Sequence, residues 1–174
     1  MGRLRHQVFP GATYFVTTKT WQNTAIFQVH QVAQTLIERM LEYRDKCSYQ
    51  LHEFVVMPNH LHLLLTPGPS TSLERVMQLI KGGTSHEIHR LTGTASPTWQ
   101  SGFHESRVRD ARDCKAKVDY IHFNPVVAKL SERPEGWAFG SASGRYRLDA
   151  IPQGLKPFVS QAQNVGAKAP TPKI

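Results

Sequence analysis

The feature that most constrains this chain is a pair of apolar runs separated by two turn-forming residues. Residues 54–57 read Phe-Val-Val-Met, residues 61–65 read Leu-His-Leu-Leu-Leu, and Pro58-Asn59 lies between them. Short apolar runs bounded by turn residues indicate strands, and Pro and Asn favour a tight reversal of the chain. The segment therefore predicts a β-hairpin, and any fold assigned to the chain has to contain it.

Five further segments show the periodicity of regular structure around this hairpin. β-Branched and aromatic residues predict a strand at 12–18, and residues 103–108 predict another. Apolar residues at helical spacing predict three helices, at 29–46, from Ser72 to Gly82-Gly83, and at 111–123. The two glycines weaken or end the second helix, and a further turn or two as far as Leu91 stays open. The order β-α-β-β-α-β-α predicts an α+β fold, a ferredoxin-like split βαβ with an antiparallel sheet plus one helix.

Length and charge point to one domain with a polyanionic partner. The chain has 174 residues and a formal net charge of +8, from 21 Lys and Arg against 13 Asp and Glu. A surface this positive favours DNA or RNA. Residues 151–174 contain three Lys and no acidic residue, and they are rich in Gly, Pro, Ala and Gln. That composition predicts a disordered basic tail after a folded domain at 1–150.

The sequence shows no sign of a membrane or secreted setting. No apolar run approaches the roughly 20 residues that span a bilayer, and no apolar stretch follows the basic N-terminal residues as in a signal peptide. Cys47 and Cys114 are isolated, so they predict neither a disulfide framework nor a zinc site. We therefore expect a cytoplasmic protein with reduced thiols and no membrane partner.

His60 and His62 lie in the second strand of the predicted hairpin. Because strand side chains alternate, both imidazoles project from one face and Leu61 projects from the other. Two imidazoles on one face can chelate a divalent cation. Histidines that only hydrogen-bond within a sheet show the same spacing, so the pattern alone leaves both a metal site and a structural pair open.

A second pattern, Tyr120-Ile121-His122-Phe123-Asn124-Pro125, lies at the end of the third predicted helix. Tyr120 and Asn124 are four residues apart and share one face of a helix. Pro125 disfavours α geometry at Asn124, so we expect the helix to end or kink there. The structural alternative is an aromatic side chain packed near a helix end, with Asn124 as its cap.

Together the two patterns fit one mechanism. A tyrosine hydroxyl, with a pKa of about 10, is a weak nucleophile, so its attack on a phosphate needs an activated electrophile. A cation held by His60, His62 and the amide oxygen of Asn124 would polarise a phosphate oxygen near Tyr120. A mixed imidazole and oxygen set suits Mn²⁺ and tolerates Mg²⁺, so we predict a divalent cation of this kind as the cofactor.

The same residues resemble a known family. The stretch 54–65 resembles the HUH segment of single-tyrosine DNA transposases, and 120–125 resembles the nucleophile helix of the REP-associated tyrosine transposases. Residues 14–17 and 99–105 are also similar to that family's pattern, and the resemblance covers about residues 8–147 in order. The stretch after Trp137 departs from it, because Ala-Phe-Gly-Ser stands where a Ser-Ser-aromatic pattern is common.

This resemblance implies a metal-dependent single-stranded DNA endonuclease and strand transferase whose catalytic domain is residues 1–150. Tyr120 would attack the scissile phosphate and form a 5′-phosphotyrosine, and His60, His62 and Asn124 would be the metal ligands. The implied substrate is single-stranded or hairpin DNA of repetitive extragenic palindromes, in the cytoplasm and associated with the nucleoid. Relatives act as monomers or homodimers, so both states stay open.

Six further side chains are predicted to contact DNA through phosphate pairing or base stacking. They are Lys81, Arg107, Arg109, Arg145, Tyr146 and Arg147. Acidic residues lie near several of the basic ones, and a solvated charged loop explains the last three equally well.

Two other functions fit the same sequence. A ferredoxin-like module could bind nucleic acid without catalysis, and a metal-dependent nuclease could act on RNA. A self-mobilising transposase and a domesticated protein serving repeat DNA would share one active site, so the sequence does not separate these two.

Overall fold

The computed structural model describes residue 9 and residues 11–46, 48–93 and 96–152. Its regular elements are β1 (Tyr14–Lys19), α1 (His30–Asp45), β2 (Tyr49–Met57), β3 (His60–Pro67), α2 (Leu73–Thr92), β4 (His104–Arg107) and α3 (Ala111–Val127). The predicted basic tail lies, from residue 153 onward, outside the described residues, as does Cys47. Among the helices of the described part, none is long and apolar enough to cross a membrane.

The four strands form one antiparallel sheet in the order β2-β3-β1-β4. β1 comes first in the chain and yet lies between β3 and β4, which is the strand order of a split βαβ. The turn at Pro58-Asn59 joins β2 to β3 directly, with Met57 opposite His60. The α+β, ferredoxin-like prediction with one additional helix is therefore confirmed.

The larger core lies on the face of the sheet that α1 and α2 cover. Alternate residues of β3, namely Leu61, Leu63 and Leu65, point into this core and are fully buried. Full burial of one such side chain stabilises the fold by about 1.5–3 kcal/mol before entropic costs. The apolar stripes of the two helices close over the strands through these buried residues: Val32, Leu36, Ile37, Met40, Leu73, Val76, Met77 and Ile80.

Helix α2 begins as predicted and continues past the glycine pair. The Ser72 side chain accepts a hydrogen bond from the N–H of Arg75 and so caps the first turn. The helix then continues through Gly82 and Gly83 without a break. The hydroxyl of Tyr43 on α1 occupies the space that a Cβ at position 83 would need. Glycine there permits close packing of the two helices, and of the two predicted ends, at the glycine pair or near Leu91, the structure shows the later one.

Helix α3 lies on the opposite face of the sheet, over β2 and β3. Its buried side chains Cys114 and Ile121 pack with Val55 and Leu64 in a second, smaller core. The backbone N–H of Asp113 donates to the side chain of Asp110, which caps the start of the helix. This helix covers only part of its face of the sheet.

The predicted end of α3 at Asn124 is wrong. Pro125 lies inside the helix with its ring buried, and the helix ends at Val127. Proline removes one backbone donor, but its carbonyl still accepts from the N–H of Leu130, and the Asn124 carbonyl accepts from Ala128. Burial of the ring and these retained bonds offset the local preference against α geometry before proline.

The stretch after Trp137 covers the outer edge of β2. The N–H of Val56 donates to the Phe139 carbonyl at 2.8 Å, and Nε1 of Trp137 donates to the Val56 carbonyl at 3.0 Å. The Ser141 hydroxyl accepts from the N–H of Phe54 and donates to its carbonyl. Here the sequence departs from the resembling pattern, and the residues that replace it protect an edge strand.

Candidate active site

Strand pairing places His60 and His62 side by side on the face of the sheet that α3 partly covers. His62 lies opposite Val55 of β2 and Thr17 of β1, and His60 lies opposite Lys19. The two ring centroids are 4.8 Å apart. Residues opposite each other in an antiparallel pair project to the same side. Both imidazoles therefore share one surface with Thr17 and Lys19.

Two neighbouring side chains orient these rings. Nδ1 of His60 donates to the Asn59 side-chain oxygen at 2.7 Å, and Nδ1 of His62 lies 2.8 Å from the Thr17 hydroxyl oxygen. A bond at Nδ1 fixes each ring and leaves Nε2 to act as a ligand. The sequence did not identify Thr17 or Asn59. Thr17 could be found only from the pairing of β1 with β3, whereas Asn59 is adjacent to His60 and was interpreted only as a turn residue.

Helix α3 brings Tyr120 against the same surface. The Tyr120 ring contacts His62 edge-on, with centroids 5.1 Å apart, and contacts Phe15 in the same manner at 5.8 Å. Phe15 in turn stacks on His62 at 5.4 Å. Tyr120 nevertheless remains 53% exposed. Its ring is thus held by two aromatic neighbours while its side chain stays accessible to a large substrate.

Asn124 lies one helical turn beyond Tyr120 and reaches the second histidine. Its Nδ2 is 3.4 Å from Nε2 of His62. Continuation of α3 through Pro125 makes this possible, since Tyr120 and Asn124 then occupy the same side of one unbroken helix. The four residues singled out from the two sequence patterns therefore converge at one place.

Burial and charge both favour neutral imidazoles at this place. Desolvation is the main cause that lowers the pKa of His62 to about 3, and His60 and Lys19 add to the effect. Desolvation also lowers the pKa of His60, Lys19 lowers it further, and a hydrogen bond with Asn124 opposes the shift. A neutral imidazole is the form that binds a metal. Both pKa shifts therefore favour the form of the imidazole that a cation would need.

The residues present fit a divalent cation. In the described part of the chain no group of three or more His, Cys, Asp or Glu side chains could hold a metal ion. The donors here would be two imidazole nitrogens and the amide oxygen of Asn124. Such a small mixed set leaves other coordination positions for substrate oxygens and water, as a catalytic metal requires. It matches the chemistry of Mn²⁺ or Mg²⁺ bound together with a phosphate.

A further contact anchors α3 to the sheet beside the site. Nε2 of His122 donates to the Glu53 carboxylate at 2.8 Å. That bond is the largest cause of a raised pKa at His122. The register of β2 against β3 shifts between Leu51 and Glu53, so Glu53 lies at an irregularity of the strand pairing. Sequence reasoning did not find this pair, because a strand irregularity and a contact over 69 residues leave no local signal.

Lys81 makes a structural contact with the loop that precedes β4. Its ammonium donates to the carbonyls of Gln100 and Gly102, at 2.8 and 2.5 Å. The N–H of Gln100 in turn donates to the Lys19 carbonyl at 2.9 Å. Lys81 therefore ties the loop before β4 to the end of β1, and two of its three donors are engaged. A DNA contact of Lys81 stays a prediction.

The other basic candidates lie away from the histidines. Arg107 of β4 lies opposite Tyr14, at the other end of β1 from Lys19. The central carbon of its guanidinium is 4.6 Å from the centroid of the Phe9 ring. Arg109 is exposed and forms an ion pair with Asp113 at 3.4 Å. Both remain predicted DNA contacts, but neither is brought next to Tyr120.

The Arg145–Arg147 stretch packs on the side of the larger core. The Tyr146 hydroxyl donates to the Ala138 carbonyl at 2.8 Å, and its ring lies 5.1 Å from that of Phe54. The carbonyl of Arg147 accepts from the Arg44 guanidinium on α1. Tyr146 is thus a packed side chain, while Arg145 and Arg147 are exposed. Contacts of these three residues with DNA stay predictions.

Known proteins resemble this chain in sequence and in fold. The REP-associated tyrosine transposase of Escherichia coli (strain K12) is 24% identical over 155 residues, a match that covers 86% of this chain and 90% of the relative. A solved structure described as a REP-associated tyrosine transposase bound to a REP hairpin superposes with a TM-score of 0.68 at 22% identity. That superposition covers 92% of this chain and all of the other, and it supports the same fold.

The family itself follows from a match over most of the chain. The model of the family "Transposase IS200 like" matches residues 11–124, a span that begins just before β1 and ends on Asn124. Both histidines, Tyr120 and the whole sheet lie within the matched region. The chain therefore belongs to the IS200-like transposase family and is a tyrosine transposase of the HUH type.

Proposed function

We propose that this chain is a metal-dependent single-stranded DNA endonuclease and strand transferase that works through a 5′-phosphotyrosine intermediate. The observation that carries the proposal is the convergence of Tyr120 with His60, His62 and Asn124 on one surface. A nucleophile beside a cation-binding group is what phosphoryl transfer requires. The accessible Tyr120 ring suits a substrate as large as a DNA strand.

In the cleavage step the Tyr120 Oη forms a bond to the scissile phosphorus as its proton passes to solvent. The P–O3′ bond breaks, and the leaving oxygen takes up a proton to become a 3′-OH. A divalent cation would supply Lewis-acid polarisation of a phosphate oxygen. His60, His62 and Asn124 would hold that cation. Phe15 and His62 hold the Tyr120 ring so that little motion is lost at the transition state.

In the transfer step a 3′-OH attacks the phosphotyrosine, and the Tyr120 oxygen leaves. One phosphodiester bond is broken and one is formed over the two steps, so no external energy source is required. The same side chains therefore serve cleavage and rejoining.

For the substrate we propose hairpin-forming DNA of repetitive extragenic palindromes. The support is the name of the Escherichia coli relative and the description of the solved neighbour as bound to a REP hairpin. The net charge of +8 agrees with a nucleic-acid partner. Such DNA is chromosomal, so we place the activity in the cytoplasm, at the nucleoid.

The direct test uses the full chain, Mn²⁺, and a DNA hairpin with a single-stranded flank, labelled at either end. A 5′-phosphotyrosine keeps the 3′-labelled fragment on the protein in a denaturing gel and releases the 5′-labelled fragment with a 3′-OH. We expect wild type to give this adduct and Tyr120→Phe to give none. Tyr43→Phe, on the far side of the sheet, is the matched control and should behave as wild type.

Three outcomes would contradict the proposal. An adduct that persists in Tyr120→Phe would exclude this nucleophile, and undiminished cleavage in EDTA would exclude metal dependence. Hairpin binding without any adduct, equally strong in EDTA, would indicate a non-catalytic binding module. A matched RNA strand in the same assay separates DNA from RNA nuclease activity.

A further inference from the structure

Lys19 is a charged residue next to the histidines that the two sequence motifs do not include. It is the last residue of β1 and lies directly opposite His60 in the pairing with β3. Thr17, two residues earlier, lies opposite His62 and bonds to its ring. Because side chains two apart on a strand share a face, the Lys19 side chain leaves the sheet on the side of the histidines and Tyr120.

Hydrogen bonds fix the backbone at Lys19 and Thr20. The Lys19 carbonyl accepts from the N–H of Gln100, in the loop that Lys81 secures. The next residue, Thr20, donates through both its N–H and its hydroxyl to the Asn59 carbonyl, at 2.9 Å each. Lys19 is therefore fixed to the turn before His60 through its backbone. Its side chain alone stays exposed.

The charge of Lys19 lies within electrostatic range of both histidines. The Lys19 ammonium lowers the pKa of both His60 and His62, so its charge acts directly on the proposed ligands. It would also repel a divalent cation held there. No carboxylate forms an ion pair with Lys19 among the described residues. Within the described part of the chain, no ion pair therefore explains the place of this charge.

An anion bound between Lys19 and the histidines would be attracted both by the Lys19 ammonium and by a divalent cation held at the histidines. The opposite half of the surface is covered by α3, whereas Lys19, His104 and Ser106 at the β1–β4 side are exposed. Glu105 does not add a negative charge to this strip, since it lies opposite Val16 and projects to the other face. A phosphodiester strand can therefore approach Tyr120 along β1 without meeting a strand carboxylate.

We propose that Lys19 is a catalytic residue whose ammonium binds a non-bridging oxygen of the scissile phosphate. This inference rests on the proposed function and adds a residue to its site. The ammonium neutralises charge on the phosphoryl oxygens as the bond from Tyr120 Oη forms and the P–O3′ bond breaks. It transfers no proton. Lysine serves here as a point charge, so arginine should replace it in large part.

The test compares Lys19→Ala, Lys19→Met and Lys19→Arg with wild type in single-turnover adduct formation at saturating hairpin DNA and saturating Mn²⁺. We expect the alanine and methionine variants to lose roughly 10- to 100-fold in rate, and the arginine variant to stay within a few-fold of wild type. Lys46→Ala, on the opposite side of the sheet, is the matched control and should leave the rate unchanged.

Two further measurements separate chemistry from binding. Hairpin affinity, measured without turnover in a Tyr120→Phe background, should change less than about threefold in Lys19→Ala, because one phosphate contact among many is lost. The Mn²⁺ concentration for half-maximal rate should stay equal or fall, because a repulsive charge is gone.

Each contrary result overturns the proposal. A Lys19→Ala rate equal to wild type removes Lys19 from the chemistry, and a rate restored by more Mn²⁺ or more DNA assigns it to binding alone. Failure of Lys19→Arg to recover activity would exclude a purely electrostatic contact. Wild type serves as the reference for the proposed function itself. If wild type forms an adduct and Tyr120→Phe does not, a negative Lys19 result counts against this inference only.

Discussion

The two faces of the sheet are built from the same strands and differ in almost every other property. On β3, Leu61, Leu63 and Leu65 point into the core under α1 and α2, and all three are fully buried. The alternate residues His60 and His62 point toward α3. One face is apolar and closed by two helices. The other bears the two imidazoles and is partly covered by one helix, which carries the exposed Tyr120.

This difference shows how a small domain can hold a reactive site without losing stability. Hydrophobic burial on the α1 and α2 face fixes the position of β3, and that rigidity orients the histidines on the other side. On the α3 face, Tyr120 can then stay half exposed, and Lys19 can stay without an ion pair among the described residues. We therefore expect substitutions on the α1 and α2 face to change the free energy of unfolding, and substitutions on the α3 face to change the rate of adduct formation.

The largest expected effect is the loss of metal-dependent chemistry in His60→Ala. Removing one of two imidazole ligands should lower Mn²⁺ affinity and adduct formation by more than about 100-fold, since loss of a mere supporting partner already costs 10- to 100-fold. The free energy of unfolding in urea should change by less than about 1 kcal/mol, because the ring is only partly buried. Titration calorimetry with Mn²⁺ and the adduct gel provide the measurements.

His104→Ala is the matched control, because it removes an imidazole from the same face that is not among the proposed ligands. It should keep its Mn²⁺ affinity. An equal loss of Mn²⁺ affinity in both variants would mean that the cation is not held at His60. The α3 face would then no longer be distinguished from the apolar face by a metal site.

The second-largest effect is expected for Leu63→Ala on the apolar face, which should lower stability and leave the chemistry nearly unchanged. A cavity in a fully buried position should lower the free energy of unfolding by about 2–5 kcal/mol. At a low temperature where the variant remains folded, the single-turnover adduct rate should stay within a few-fold of wild type. Urea unfolding and the adduct gel on one preparation test both parts, and a rate loss of 100-fold in folded protein would contradict the division.

Local periodicity was sufficient to predict both halves of the site. Alternation along a strand puts His60 and His62 together, and helical spacing puts Tyr120 and Asn124 together. The sheet order followed from the sequence of elements, because a βαββαβ arrangement has few compact solutions. What the sequence could not predict is which residues face the site from other strands. Thr17 and Lys19 are placed by pairing with β3 across more than 40 residues, and that register has no local signal.

Local preference was least informative where tertiary contacts override it. Glycine at 83 weakens a helix locally and left its end open, yet the missing side chain makes room for Tyr43 and α2 passes through. Pro125 indicated a helix end as well, yet its ring is buried and α3 passes through it. In each case the decisive partner is remote in sequence.

The smallest expected effect concerns a contact on the α3 face that is structural, the pair His122–Glu53. The pKa of His122 is raised in the folded protein, chiefly by this hydrogen bond. The stabilisation from the charged pair is therefore fully present below the unfolded pKa of about 6.5 and is lost as pH rises through the higher folded value. Since both side chains are partly exposed, we expect a coupling of about 1 kcal/mol or less.

A double-mutant cycle with His122→Ala and Glu53→Gln, measured by urea unfolding at pH 6 and at pH 9, tests this contact. The coupling between the two side chains should be larger at pH 6, because the imidazole is then charged, and only the neutral hydrogen bond should remain at pH 9. A coupling that is constant with pH, or larger at pH 9, would show that the pair is held in its neutral form. The result also sharpens the contrast between the faces. A pH-dependent anchor beneath Tyr120 would mean that the functional face contributes some stability of its own, through charge instead of apolar burial.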